Sequence, residues 1–173
     1  QSKADEANDL LLYHNANFVP KNDLKEEKLD IQFNHAFCRV DIEVTIGSEF
    51  NATNGLAANP IKGIRVEGTK IAADINLASA SPTFTAKGDA TSIIPTPGNF
   101  TPAASAANQA VARYSCIVIP QTADLNIVLH TSDREYEWTG TKMALESGKQ
   151  YTLQLNMTNK STTARKFILR ERK

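Results

Sequence analysis

The segment with the most chemical potential is Asp133-Arg134-Glu135-Tyr136-Glu137-Trp138, where carboxylates alternate with aromatic rings. Carboxylate oxygens are ligands for Ca²⁺, and an aromatic face can pack against a sugar ring. Trp138 and Tyr136, together with Tyr114 further up the chain, are the candidate stacking residues. Aromatic residues make up only 7% of the chain, so it is not enriched for such binding. Alternation offers a plainer account: Arg134, Tyr136 and Trp138 on one face of a hairpin strand, Glu135 and Glu137 on its wet face. We favour the strand.

Three histidines, His14, His35 and His130, lie far apart in sequence. His35 falls beside a break in strand phase, where a hydrogen-bonded structural ring is expected rather than a catalytic base. His130 ends an apolar alternation and is expected at the surface. Cys38 and Cys116 each run in phase with apolar neighbours, Val40 and Ile42 for the first and Val118 for the second. Two buried free thiols are expected. A disulfide stays open, since it requires Cα atoms within about 7 Å. No CxxC or HxxxH spacing accompanies either cysteine, so no metal site is expected. No Gly-x-Ser-x-Gly elbow, phosphate-cradling loop or paired-carboxylate motif occurs. The chain reads as a non-enzyme without cofactors or catalytic residues.

The elements that would position these residues are strands. Leu29, Ile31 and Phe33 share one parity, whereas Cys38, Val40, Ile42, Val44 and Ile46 share the other. A period of two cannot change parity without a bulge or bend, placed near His35 to Phe37. Gly47 to Pro60 reads as a loop, with a helical turn around Asn54–Ala58. Ile64 and Val66, then Ile71, Ala73, Ile75 and Leu77, predict a further strand or a hairpin around Glu67-Gly68-Thr69. The Ser-, Thr- and Pro-rich stretch from Ser79 to Ala107 holds β-like pieces at Thr83–Ala86 and Ser92–Ile94, with Pro95, Pro97 and Pro102 marking irregular or edge structure. Ala112–Ile119 stops at Pro120. Leu125, Ile127 and Leu129 alternate, as do Tyr151, Leu153, Leu155 and Met157. Short strands at close spacing, with no long amphipathic helical period, predict an all-β sandwich or barrel.

Composition is that of a globular domain, 41% hydrophobic and 22% charged over 173 residues. Nineteen basic side chains balance nineteen acidic ones, which removes the electrostatic case for nucleic acid or an anionic membrane. No apolar run approaches the roughly 20 residues of a membrane span. Asp9-Leu-Leu-Leu-Tyr13 is an isolated apolar patch, and Asn22 to Lys28 is a charged, linker-like stretch.

Several of these segments, in order, resemble a known family. Leu29-x-Ile-x-Phe-x-His-Ala36, the strand through Val40–Ile46, Gly63-Ile-Arg-Val66, Tyr114-x-Cys-x-Val-Ile-Pro-Gln121 and Gly148-Lys-x-Tyr-Thr-Leu-x-Leu155 look like the fimbrillin-like proteins. These are the type V pilins and minor fimbrial subunits of Bacteroidetes, and the resemblance covers residues 28–158, mainly as their C-terminal domain. It implies a transthyretin-like antiparallel β-sandwich of Greek-key type, export as a lipoprotein, and a place in an outer-membrane-attached fimbrium that supports cell adhesion. It also implies assembly by strand exchange with other fimbrial subunits, in a homo- or hetero-polymer, and contact with host or bacterial surface ligands. Membrane contact would come only through a lipid anchor absent from this chain. Asp9–Tyr13 is similar to the segment that closes the family's N-terminal domain, so residues 1–27 read as a linker or the tail of a preceding domain and 28–173 as the sandwich. An arm lying on the sandwich is the other reading of the patch.

Phe167, Ile168 and Leu169 form an apolar knot between Arg165-Lys166 and Arg170-Glu-Arg-Lys173. They read either as an assembly strand donated to a neighbour or as a final edge strand guarded by basic residues. Stalk, anchor and tip roles stay open. The competing function is a secreted or surface carbohydrate-binding module using Trp138, Tyr136 and Tyr114.

Overall fold

The computed structural model describes residues 3–4, 9–15, 17, 19, 28, 31–159 and 161–172. In chain order the strands are β1 (Lys3–Ala4), β2 (Leu11–Leu12), β3 (Asn34–His35), β4 (Cys38–Ile46), β5 (Gly63–Glu67), β6 (Lys70–Asn76) and β7 (Thr83–Ala90). They continue with β8 (Ile94–Pro97), β9 (Ala110–Val118), β10 (Gln121–His130), β11 (Glu135–Leu145), β12 (Lys149–Met157) and β13 (Thr162–Glu171). A six-stranded sheet runs β1-β8-β9-β4-β12-β13, and a three-stranded sheet runs β11-β10-β5. Two further pairs, β2-β3 and β6-β7, stand apart from both. The chain is all-β, as expected.

The core follows from strict alternation. Along β4, Cys38, Val40, Ile42, Val44 and Ile46 are buried while Arg39, Asp41, Glu43 and Thr45 face outward. On one side β9 sets Cys116 opposite Val40 and Tyr114 opposite Ile42. On the other, β12 sets Tyr151, Leu153, Leu155 and Met157 opposite Val40, Ile42, Val44 and Ile46. The second sheet closes over this face with Ile64 and Val66 from β5 and Leu125, Ile127 and Leu129 from β10, all in one hydrophobic cluster. The two sheets therefore form a sandwich around a shared core. Ile93, just ahead of β8, stitches one side of it to β5 by exchanging both main-chain hydrogen bonds with Val66 at 2.8 Å.

Several expectations are corrected. The large sheet is mixed, since β12 lies parallel to β4 and β1 parallel to β8. A long connection through the other sheet, rather than a hairpin, delivers β12 beside β4, and only a tight hairpin obliges antiparallel pairing. β5 and β6 form no hairpin about Gly68; β5 pairs with β10 and β6 with β7. Gly68 at φ 87° turns the chain out of the sandwich, and the free edge of β5 is taken by Ile93. The helical turn falls at Ser48–Phe50, not at 54–58. There Gly55, at φ 92°, closes a tight bridge with Ala52 instead.

The phase break holds: β3 ends at His35 and a bend at Phe37 leads into β4. No strand forms across 31–33, where Ile31 and Phe33 are 49% and 60% exposed, because only the short β2 arm is available to pair there. Leu29 and most of the charged stretch lie outside the described residues. The patch around Asp9–Tyr13 is an arm on the sandwich, with β2 paired to β3 and the Ala36 amide donating to the Leu10 carbonyl at 2.8 Å.

Candidate functional site

The expected stacking residues do not assemble on a surface. Tyr114 on β9 and Tyr136 on β11 are 7% and 5% exposed, both inside the core, and Trp138 packs against the same cluster. The alternation that placed Tyr136 and Trp138 on one face turns that face toward the core, burying Tyr136 and leaving Trp138 partly buried. Tyr136 makes an edge contact with Phe50, and Arg134 covers its ring at 5.6 Å. The Tyr114 hydroxyl accepts from the Asn59 side chain at 2.9 Å, and burial pushes its pKa up. Glu135 and Glu137 face water on the outer side, as the strand reading requires.

Both cysteines are free and buried. They sit on adjacent strands but in staggered register, Cys38 opposite Val118 and Cys116 opposite Val40. Burial pushes the Cys38 thiol up to about 12, and it donates to the Val118 carbonyl at 3.0 Å. Burial raises Cys116 as well. Thiols held protonated in this way are not nucleophiles at neutral pH. Among the described residues, no group of three or more His, Cys, Asp or Glu could hold a metal ion.

Two polar arrangements remain. The first is on the outer face of the large sheet, beside a groove of about 350 Å³. The Asp41 carboxylate accepts from Arg39 at 2.8 Å and from Gln150 at 2.5 Å. One step along β4, Glu43 accepts from Arg113 at 3.2 Å and from Gln154 at 3.1 Å. These sets, one bond within β4 and three across strands, occupy both oxygens of each carboxylate within the sheet. They stiffen its wet face.

The second joins the two ends of the chain. Asp9 Oδ2 accepts from Arg172 at 2.7 Å and lies 2.5 Å from Nδ1 of His35. The Asp9 and Arg172 side chains are each 6% exposed. Arg172 also donates from its main chain to Gly148 at 2.8 Å and from its side chain to the Phe37 carbonyl at 3.4 Å. His35 is thus a structural, hydrogen-bonded ring, as its place at the phase break suggested. His14 is likewise engaged, 2.8 Å from the Ser79 carbonyl oxygen, and His130 is half-buried at the end of β10, 3.1 Å from Glu135. Sequence reasoning missed Asp9 and Arg172, because nothing local marks two residues that meet only after the sheet has formed.

Phe167, Ile168 and Leu169 lie in β13, which pairs antiparallel with β12 at the sheet edge, Ile168 opposite Thr152 and Leu169 opposite Tyr151. Ile168 is half-buried and Leu169 is 52% exposed. The Phe167 side chain lies outside the described residues.

Comparison with known proteins adds to this geometry. The family described as fimbrillin-like matches residues 1–167. No curated protein matches the chain in sequence. Among solved structures, a candidate cell adhesion protein from Bacteroides uniformis superposes with a TM-score of 0.61 at 15% identity, covering 84% of this chain and 54% of that one. Another candidate cell adhesion protein, from Bacteroides ovatus, gives 0.58 at 15% identity, covering 85% and 49%. This chain therefore spans about half the length of the structures it matches. At such identity the likeness is one of fold.

Proposed function

This chain belongs to the fimbrillin-like family, and from that premise we propose that it is a structural or accessory subunit of a bacterial surface fimbria that supports cell adhesion. The observation that carries the reading is the family match across residues 1–167, which takes in both the N-terminal arm and the sandwich. The description of two fold neighbours from Bacteroides as candidate cell adhesion proteins agrees with it. So does the chemistry of the domain, whose buried side chains are committed to packing and whose described acids are largely committed to ion pairs and sheet-face hydrogen bonds.

On this reading the domain acts by being a durable link. Its partners are other fimbrial subunits, its place is the cell surface, and any attachment to the outer membrane passes through a lipid anchor. Residues 28–173 form the body of the link, and residues 1–27, whose strands at Lys3–Ala4 and Leu11–Leu12 pair with that body, lead into it from a preceding domain. Assembly proceeds by strand exchange, in which main-chain hydrogen bonds supply affinity and side-chain pockets supply register. Phe167, Ile168 and Leu169 are the proposed assembly strand, since they occupy an outermost strand of the large sheet with Leu169 turned to solvent.

The test is made in the native host. Unboiled surface fractions run by SDS-PAGE and probed for this chain are expected to show a polymer ladder, and intact cells treated with protease should lose it. A protein that is only monomeric and is protected inside the cell would end the fimbrial reading. Replacing Ile168 and Leu169 with Asp should collapse the ladder while leaving the sandwich folded. Persistence of the ladder in that variant would remove β13 from the assembly role.

A further inference from the structure

The cluster of Asp9, His35 and Arg172 ties three separate pieces of chain to one carboxylate. Asp9 belongs to the N-terminal arm, His35 to the short β3 before the bend, and Arg172 lies just past the end of β13. Main-chain bonds run to the same place from both sides. Ala36 donates to Leu10, and Arg172 donates to Gly148 in the turn ahead of β12.

Two features make this fastening releasable rather than permanent. First, β13 is an edge strand, held on one side only, by its ladder with β12, where Ile168 to Glu171 pair with Thr152 to Lys149. Of its described side chains only Thr162 is buried, and Leu169, Arg170 and Glu171 are exposed. Second, the ion pair is imperfectly satisfied, because the other oxygen of Asp9, Oδ1, is buried without a hydrogen-bond partner. Desolvating both charges opposes their attraction, so a buried pair with an unmet oxygen holds by a small margin. Removing Asp9 leaves the buried Arg172 guanidinium without its carboxylate, and removing Arg172 leaves Asp9 with His35 alone, which couples the opening of the two ends.

We propose that the N-terminal arm is a latch on the C-terminal strand: Asp9 fastens the end of β13 through Arg172, and displacement of the arm frees residues 168–172 from the sandwich. The coupling stands on the contacts between Asp9, His35 and Arg172 and does not require that β13 be the assembly strand.

Hydrogen–deuterium exchange of the full chain tests it in wild type, Asp9→Asn, Arg172→Gln and the double variant. Asp9→Asn should raise exchange across residues 168–172 by about tenfold, although the substitution sits at the opposite end of the sequence. Arg172→Gln should do the same to residues 10–13, and the double variant should exceed neither single by more than about twofold. Amides of β4 and β9 should keep wild-type protection in all four proteins. Exchange that rises only at the substituted end would overturn the latch. Loss of protection in β4 and β9 would also overturn it, showing a structural fastening of the whole domain instead.

Discussion

β4 and β6 carry nearly the same pattern and meet opposite fates. In β4, Ile42, Val44 and Ile46 alternate with polar residues and are no more than 1% exposed. In and just past β6, Ile71, Ile75 and Leu77 alternate in the same way and remain 43%, 37% and 49% exposed. The pattern makes both of them strands, but only β4 has a second sheet across from it. The β6–β7 ribbon leaves the sandwich at Gly68 and is held near its base, where Gln121 both donates to the Lys70 carbonyl at 2.8 Å and accepts from its amide at 2.9 Å. Its one aromatic contact with the body is the edge contact of Phe84 with Phe37 among the described residues. Alternation specifies which residues share a face, and the opposing layer decides whether that face is dry.

The sharpest way to break this comparison is in the sandwich. Leu153 on β12 is fully buried between the sheets, so Leu153→Ala should cost about 3 kcal/mol through lost transfer energy and a residual cavity. Urea denaturation followed by circular dichroism would measure it, and a loss below about 1 kcal/mol would mean the core is not packed as described. Next is the joint between body and ribbon. A Cβ on Gly68 would lie 2.0 Å from the Asp124 carbonyl oxygen, at a φ of 87° that L residues rarely adopt. Gly68→Ala should therefore destabilise by about 2 kcal/mol, and an unchanged midpoint would show that the ribbon leaves the body by another turn.

The same contrast explains how far the sequence could be read. Cys38 to Ile46, Ala110 to Val118 and Lys149 to Met157 alternate cleanly, and their burial follows residue by residue. The bend at Phe37 was legible because parity changes there, and the free thiols because each cysteine keeps phase with apolar neighbours. Pairing was not legible. Ile64 and Val66 look like the first half of a hairpin with Ile71, yet β10 and β7 take the two strands instead. Strand pairing over long separations depends on how whole sheets dock, a property no local window contains. The proposed latch was hidden for the same reason, since Asp9 and Arg172 are neighbours only in the folded chain.

The two thiols refine the description of the core at a smaller scale. The Cys38 thiol already donates to the Val118 carbonyl, so a serine hydroxyl there keeps a partner, whereas Cys116→Ser buries a hydroxyl with none assigned. Cys116→Ser should cost about 1–2 kcal/mol and Cys38→Ser less. Equal losses would mean that the two sites share one environment. Their titration adds a pH dependence with a definite sign. Below the ordinary thiol value of 9.0 both forms of the protein hold neutral thiols, and this contribution to stability is fully present. Above it the unfolded chain ionises while Cys38 stays protonated until about 12, so stability falls as pH rises across that window. Urea midpoints at pH 8 and pH 10 should differ less in the Cys38→Ser, Cys116→Ser double variant than in wild type.

The smallest expected effect is the most direct test of the comparison. Ile75→Ala makes in the ribbon the kind of truncation that Leu153→Ala makes in the core, but Ile75 is already 37% exposed and has no sheet over it. The change should shift stability by no more than about 0.5 kcal/mol, the range of ordinary surface substitutions. Because β6 also pairs only with β7, any residual loss should appear as faster amide exchange within Lys70–Ala90 rather than as a lower unfolding midpoint. A loss near 2 kcal/mol in the isolated chain would mean that the ribbon's apolar face packs on the sandwich. The two alternating strands would then differ in degree of burial and not in kind.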